Sequence, residues 1–163
     1  MADRKFNLEG KRILAVDDEE DVLATIDELL ENCDVDKALD YQTASEKIEK
    51  YRYDLALLDI MGVDGLKLLE ECIEKGTPAM MLTAHAMNYD ALMACIRKGA
   101  IAFLPKDKMG ELDQLLEDIM SAYMAGTSTW KVLFDELSEY FIKHFGKKMA
   151  KVEWVCRSKG EKL

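Results

Sequence analysis

Four short runs of consecutive apolar residues stand out along the chain, at residues 12–16, 54–60, 79–83 and 100–104. Hydrophobicity that is continuous rather than alternating is typical of parallel strands that are covered on both faces. A weaker run at residues 35–41 has mixed polarity, as expected of a strand at the edge of a sheet. The pattern therefore predicts five strands, most of them buried.

Segments whose apolar residues recur at helical spacing lie between these runs. They occupy Val22–Leu30, a short stretch near 44–52, Leu66–Ile73, Tyr89–Ile96 and Leu112–Tyr123. Strand and helix thus alternate across residues 11–125, which predicts an α/β fold with a doubly wound parallel sheet.

A further amphipathic helix is expected after Gly126, which interrupts the helical pattern. Thr127 or Ser128 can cap its start, and Gly146 its end. Its apolar face is a candidate interaction face, represented by Trp130, Phe134, Leu137 and Phe141. Residues 147–163 are rich in lysine and have little periodicity, which predicts a loose tail. The expected organisation is a domain at 1–126 and a helical extension with a basic tail at 127–163.

The charge of the chain is unevenly distributed. The net charge is −10, and residues 127–163 carry +3 while the remainder carries −13. A strongly negative body opposes binding to nucleic-acid phosphates, so no nucleic-acid partner is expected. The asymmetry again suggests a body and a tail of different character.

Targeting and redox signals are few. No apolar run is long enough to span a bilayer, and the N-terminal residues lack the apolar core of a signal peptide. The four cysteines are scattered, without the paired spacing of a zinc site or a disulfide framework. These features predict a cytoplasmic protein with reduced thiols and no membrane insertion.

Carboxylates follow two of the predicted core strands at the points where they end. Asp17 and Asp18 come after the first apolar run, and Asp59 closes the third strand. Ligands of an open α/β sheet bind beyond the carboxyl ends of its strands, and neighbouring strands lie about 5 Å apart. Crowded carboxylates repel one another unless a cation binds, and Mg²⁺ prefers such oxygen ligands. Thr83 and Lys106 follow the next two strands and would reach the same edge.

This set of residues fits phosphoryl chemistry. A carboxylate can act as a nucleophile towards phosphorus and form an aspartyl-phosphate. Fixed cations near the phosphoryl group stabilise the charge that spreads over its oxygens during transfer. A threonine hydroxyl such as that of Thr83 can hydrogen-bond a phosphoryl oxygen.

The order of these positions resembles the receiver domain of two-component response regulators over roughly residues 11–125. The shared features are an acidic pair after strand one, an aspartate after strand three, threonine after strand four and lysine after strand five. The resemblance implies a flavodoxin-like strand order of 2-1-3-4-5. It also implies that Asp59 is the phosphoacceptor and that Lys106 pairs with the phosphoryl group.

The resemblance further assigns a metal site and a switch. Asp18 and Asp59 would hold Mg²⁺ directly, Asp17 mainly through water, and the backbone carbonyl of Met61 would be another ligand. In "GAIAFLPK", Phe103 matches the aromatic residue of the family's switch. Two departures from the family are visible. The loop after Asp59 is shorter and lacks proline, and proline precedes Lys106 instead of following it.

Each of these residues also has a structural interpretation. The acidic pair can simply favour the dipole of the first helix. Thr83 alone is typical of a strand end, and Lys106 alone of a solvated surface charge. His85 is interpreted as a loop residue, because no serine or cysteine nucleophile accompanies it. The pattern taken together favours the functional interpretation.

The predicted function is a signalling phosphoacceptor that receives its phosphoryl group from a sensor histidine kinase or a phosphotransfer protein. It would catalyse only its own phosphorylation and dephosphorylation, and its output would be contact with a downstream protein. One alternative is a receiver-like interaction module that does not use phosphate. The other is an aspartate-nucleophile phosphatase, which the absence of a second aspartate at position 61 disfavours.

Two roles stay open for the apolar face of the extension. It can pack on the receiver, or pair with a second copy to form a homodimer, as a structural element. Alternatively, it is an output surface that phosphorylation of Asp59 releases or hides.

Overall fold

The structure is a computed structural model that describes residues 6–84 and 89–158. One five-stranded parallel sheet forms its centre, with the order β2-β1-β3-β4-β5. The strands are β1 (Arg12–Val16), β2 (Asp34–Ala38), β3 (Leu55–Asp59), β4 (Ala79–Thr83) and β5 (Ala102–Pro105). This is the strand order expected from the resemblance, and the α/β prediction is confirmed.

Helices connect the strands and cover both faces of the sheet. They are α1 (Glu20–Leu29), α2 (Tyr41–Lys50), α3 (Gly65–Lys75), α4 (Tyr89–Lys98) and α5 (Leu112–Ala125), with a 3-10 segment at Lys106–Glu111 before α5. Every residue of β3 and β4 is buried, whereas β2 at the edge is mostly accessible. Cover on both faces explains why the central strands are continuously apolar in sequence.

Some boundaries differ from the predicted ones. Helix α2 begins at Tyr41, earlier than expected, because the Asp40 carboxylate caps it by accepting a hydrogen bond from the Thr43 N–H. Strand β5 begins at Ala102, later than expected, because the Ala100 N–H donates to the Cys95 carbonyl and closes the end of α4. Helix α5 ends at Ala125, and Gly126, which interrupts the pattern in the sequence, follows it with a positive φ of 75°.

The prediction of a single helix after Gly126 is wrong, because the segment bends. It forms α6 (Thr129–Glu136) and α7 (Ser138–Phe145), joined at Leu137, whose φ of −116° and ψ of 31° are not helical. The predicted caps are correct, since the Ser128 hydroxyl accepts from the Lys131 N–H and Gly146 follows α7. The bend allows the aromatic residues of both helices to pack on the same surface of the body.

The prediction of a loose tail from residue 147 onwards is also wrong for residues 147–158, which the structure describes. After a 3-10 turn at Gly146–Lys148, residues Met149–Ser158 form α8. Val152, Val155 and Cys156 are buried, and α8 contacts α4. Met149, Val152, Val155 and Cys156 do recur at helical spacing, but the pattern is short and lies in a lysine-rich segment, so it was missed in the sequence. Residues 159–163 and the predicted loop residue His85 lie outside the described residues.

Among the described helices, none combines the length and apolar character needed to cross a bilayer. None of the four cysteines, all of which lie in the described residues, forms a disulfide. Burial raises the pKa of Cys72 and of Cys95 to about 12, so these two thiols stay protonated at neutral pH.

Candidate phosphoryl and cation site

The carboxyl ends of β1 and β3 bring two predicted site residues to one edge of the sheet. The two strands pair in parallel with Val16 opposite Leu58. Asp17 follows Val16 and Asp59 follows Leu58, so both carboxylates leave the sheet at the same level. Both residues are buried, at 0% and 4% exposure. Buried carboxylates need compensation, which a cation can supply.

Lys106 supplies a positive charge between these two carboxylates. It follows Pro105, the last residue of β5, and its Nζ lies 2.6 Å from Asp17 Oδ2 and 3.2 Å from Asp59 Oδ1. Only 11% of the lysine side chain is exposed. The structure therefore places Lys106 at this edge of the sheet, although no proline follows it.

The other oxygen of Asp59 is oriented by the turn that follows β3. The Gly62 N–H donates to Asp59 Oδ2 at 3.2 Å. A side chain on Gly62 would collide with Asp18, since a Cβ there would lie 2.3 Å from Asp18 Oδ2. Gly65 is equally constrained, because a Cβ would lie 2.1 Å from the carbonyl oxygen of Asp59. Glycine at both positions allows the shortened turn to fold back close to β1 and β3.

Three consecutive acidic residues form a cluster at the end of β1. One oxygen from each of Asp17, Asp18 and Glu19 lies within 4.8 Å of the others. The Glu19 N–H donates to Asp17 Oδ1 at 2.9 Å, which holds the turn in place. Glu19 Oε1 also lies 3.4 Å from Lys106 Nζ. Asp59 lies outside this cluster and is connected to it through Lys106.

Burial and pairing shift two pKa values in the site. Burial raises the pKa of Asp17 above its usual value, although the ammonium of Lys106 and the Glu19 N–H both favour the charged form. Burial of Lys106 would lower its pKa, but the carboxylates of Asp17 and Asp59 outweigh it and raise the pKa instead. The lysine is therefore a permanent cation at neutral pH.

Comparison with known proteins identifies the family. The family model described as the response regulator receiver domain matches residues 13–119. This chain belongs to the response regulator receiver family.

Relatives of this receiver include much longer proteins. It is 38% identical over 103 residues to the two-component response regulator ARR18 of Arabidopsis thaliana, covering 60% of this chain and 16% of that protein. It is 32% identical over 103 residues to the alkaline phosphatase synthesis transcriptional regulatory protein PhoP of Bacillus subtilis, covering 60% of this chain and 42% of that protein. The chain thus spans less than half the length of either protein.

Solved structures agree with the fold. A CheY-like response regulator receiver domain protein from Methanospirillum hungatei superimposes with a TM-score of 0.59 and 29% identity. The alignment covers 69% of this chain and 92% of that chain.

The donor atoms at the acidic cluster fit a hard divalent cation. Asp17, Asp18 and Glu19 offer only oxygens, and no cysteine or histidine of the described residues belongs to the cluster. Asp17 Oδ2 is buried and accepts no hydrogen bond of normal geometry, although the Lys106 ammonium lies beside it. The ion pair with Lys106 shows that this buried oxygen lies where positive charge is favoured.

The remaining predicted site residues occupy different environments. Thr83 is 9% exposed and ends β4 opposite Pro105 of β5. Met61 is 83% exposed in the turn after β3, so its side chain is not part of the buried site. Phe103 is completely buried in β5 and contacts aromatic rings of the extension, not the carboxylates.

The candidate interaction face of the extension packs on the receiver. Trp130 is 3% and Phe141 0% exposed, while Phe134 and Leu137 are half-buried and also contact the core. In the structure this face is thus covered within the same chain. A structural role and a role as a surface released on phosphorylation are both compatible with that packing, and both stay predictions.

Two features of the site were not predicted from the sequence. Glu19 was missed as a partner of Lys106, although it continues the acidic run "VDDEE" directly. The Gly62 N–H was missed as a donor to Asp59, because a backbone contact across a turn leaves no signal in residue type. The close approach of Asp18 to Gly62 likewise requires the folded turn.

Proposed function

We propose that this receiver is a phosphoacceptor of a two-component signalling system, with Asp59 as the residue that is phosphorylated. One observation carries the proposal: the buried Asp59 carboxylate lies 3.2 Å from the permanently charged Lys106 and accepts the Gly62 N–H. A buried nucleophile beside fixed positive and N–H groups suits phosphoryl transfer, in which negative charge must be stabilised.

The transfer step follows from these positions. A sensor histidine kinase or a phosphotransfer protein presents a phosphorylated imidazole. A carboxylate oxygen of Asp59 attacks phosphorus, and the bond between phosphorus and the imidazole nitrogen breaks. Lys106 pairs with the phosphoryl group, and the Thr83 hydroxyl donates to one of its oxygens. The receiver acts only on its own aspartate, and later hydrolysis of the acyl phosphate resets it.

A divalent cation completes the site in this proposal. Mg²⁺, when bound, neutralises charge on the phosphoryl oxygens. Asp17, Asp18 and Asp59, with the backbone carbonyl of Met61, are the proposed ligands. The proximity of the carboxylates of Asp17 and Asp18 supports this set, and Glu19 in the same cluster is a further oxygen donor.

Output through protein contacts is more consistent with the chemistry than output through DNA. The net charge of −10 opposes approach to phosphate backbones. The aromatic faces of α6 and α7 are directed to the receiver and do not form a free recognition helix. We place the protein in the cytoplasm, where its four cysteines, none of them in a disulfide, would remain reduced.

Intact-mass measurement after incubation with acetyl phosphate and Mg²⁺ tests the proposal. One phosphoryl addition is expected in the wild type and none in Asp59→Asn. Asp113→Asn is the matched control, because it makes the same change at an exposed carboxylate in α5. No labelling of the wild type would favour a receiver-like module that does not use phosphate. Labelling that persists in Asp59→Asn would assign the phosphoacceptor to another residue.

The division of roles between metal and phosphoryl ligands gives a second test. Asp18→Ala should weaken Mg²⁺ binding at least about tenfold, because it removes a carboxylate ligand. Thr83→Ala should leave Mg²⁺ affinity within about twofold, because the hydroxyl is assigned to the phosphoryl group. Calorimetric titration of Mg²⁺ measures both, and equal losses in the two variants would contradict the assignment.

A further inference from the structure

Three helices after α5 cover one side of the receiver. We call these helices, α6, α7 and α8 (residues 129–158), the C-terminal cap. Helix α6 contacts α5 and β5, α8 contacts α4, and α7 connects them. The cap therefore lies over the surface formed by α4, β5 and α5. Its buried aromatic residues belong to the same hydrophobic core as the sheet.

Two hydrogen bonds join the cap to the residues just before β5. The Thr129 hydroxyl donates to the Ile101 carbonyl at 2.6 Å, and Trp130 Nε1 donates to the Ala100 carbonyl at 3.1 Å. Both bonds are buried. Strand β5 is the last of the sheet, so its outer edge pairs with no other strand of the described residues, and the cap covers this side of it.

Aromatic side chains of the cap also pack on Phe103 in the middle of β5. The Phe141 ring lies edge-on to the Phe103 ring at 5.3 Å between centroids, and the Tyr140 ring is 6.5 Å from Phe103. Phe103 and Phe141 are both fully buried. Any displacement of the Phe103 ring would break this packing, because close-packed interiors tolerate little movement.

The same strand ends at the carboxylate site. Lys106 directly follows β5 and is held by Asp17 and Asp59 at 2.6 and 3.2 Å. Strand β5 is only four residues long. One short strand thus joins the ion pairs of Asp59 at one end to the docking contacts of the cap along its length.

We propose that the cap is a releasable occupant of the α4–β5–α5 surface, docked while Asp59 is unmodified and loosened when Asp59 carries a phosphoryl group. The proposal rests on the proposed function of Asp59. A phosphoryl group adds negative charge and acceptor oxygens beside Lys106, which changes the partners of the lysine and the position of the β5 end. The packing of Phe141 on Phe103 is lost in that movement, and the cap loosens.

Thermodynamic linkage makes this coupling measurable in both directions. If modification of Asp59 weakens cap docking, weaker docking must favour modification by the same factor. Beryllofluoride with Mg²⁺ serves as a stable probe in place of the phosphoryl group. Its affinity for Asp59 can be measured by calorimetry, independently of what the cap does.

The chain contains two tryptophans, and both lie in the cap. Trp154 is 65% exposed, so Trp154→Phe leaves the buried, hydrogen-bonded Trp130 as a single reporter of docking. In this background, beryllofluoride should shift Trp130 emission to longer wavelength and raise its quenching by acrylamide. Neither change should occur in a variant that also carries Asp59→Asn.

Two matched threonine variants of the full chain test whether weaker docking of the cap favours modification of Asp59. Thr129→Val removes the hydroxyl that docks the cap and should raise beryllofluoride affinity by up to about tenfold. Thr127→Val removes a hydroxyl that donates to the Ala122 carbonyl in the adjacent α5, not to β5, and should leave the affinity unchanged.

The outcomes separate the two proposals. Beryllofluoride binding to Asp59 with unchanged Trp130 emission and quenching would overturn release of the cap and leave the phosphoacceptor role intact. Equal affinity in Thr129→Val, Thr127→Val and the wild type would also overturn the coupling. If beryllofluoride does not bind in an Asp59-dependent manner, both the phosphoacceptor role and the coupling fail.

Discussion

Gly62 is the residue at which a missing side chain matters most for the carboxylate site. A Cβ there would lie 2.3 Å from an oxygen of the exposed Asp18. We expect Gly62→Ala to displace the Asp18 carboxylate and weaken Mg²⁺ binding about tenfold or more, with stability changed by less than about 1 kcal/mol. Calorimetric Mg²⁺ titration and urea unfolding measure the two effects.

Gly110→Ala is the control for this prediction. A Cβ at Gly110 would meet no atom within 4 Å, and its φ is not in the left-handed region. Magnesium affinity should therefore match that of the wild type. If Gly62→Ala also binds Mg²⁺ as tightly as the wild type, the position of Asp18 against the turn is unimportant for cation binding.

At the scale of elements, a polar cluster around Asp36 joins β2, α2 and the residues just before β3. Its carboxylate is 2.5 Å from Lys47 Nζ and accepts the Tyr53 hydroxyl at 2.6 Å. Burial would raise the pKa of Asp36, but these two hydrogen bonds and the nearby charge of Arg12 outweigh it and lower the pKa. The charged carboxylate therefore stabilises the fold.

The sign of the pH dependence follows from this lowered pKa. The contribution of Asp36 is complete above the unfolded pKa of about 3.9 and is lost as the pH falls through the lower folded value. Asp36→Asn should thus lower the free energy of unfolding by about 1.5–3 kcal/mol at pH 7. The difference from the wild type should shrink below about pH 4, as measured by urea unfolding.

The exposed pair of Lys131 and Asp135 provides the matched control for Asp36→Asn. These side chains are 3.3 Å apart, with 70% and 68% exposure. Asp135→Asn should change stability by less than about 1 kcal/mol at any pH, since solvent screens such pairs. A pH-independent loss in Asp36→Asn would mean that packing, not charge, accounts for its effect.

At the scale of the whole molecule, the sheet and the C-terminal cap share one continuous core. Buried residues of β1 to β5 and of α6 to α8 belong to a single cluster. We expect the unmodified protein to unfold in one cooperative transition. Tryptophan fluorescence, which reports only on the cap, and far-UV circular dichroism should give the same urea midpoint. Earlier loss of the fluorescence signal would mean that the cap unfolds independently.

Much of the fold and part of the site could be predicted from sequence. The apolar runs of β1 and β4 fell at the correct residues and that of β3 extended one residue too far at each end, because a strand covered on both faces must be apolar throughout. Asp17, Asp59 and Lys106 were expected at one sheet edge, since the carboxyl ends of parallel strands share it, and the structure brings them together. Their roles in metal and phosphoryl binding remain predictions.

Other features depended on contacts between distant parts of the chain. The close approach of Gly62 to Asp18, the bend at Leu137 and the helix at Met149–Ser158 were not predicted. Helical spacing identified the apolar face containing Trp130 and Phe141 but not the surface that covers it. Periodicity records which side of an element avoids water, because that property is local to the element. Which surface covers that side depends on shape and on hydrogen-bond donors far away in sequence, so only the tertiary structure decided that the cap packs on β5.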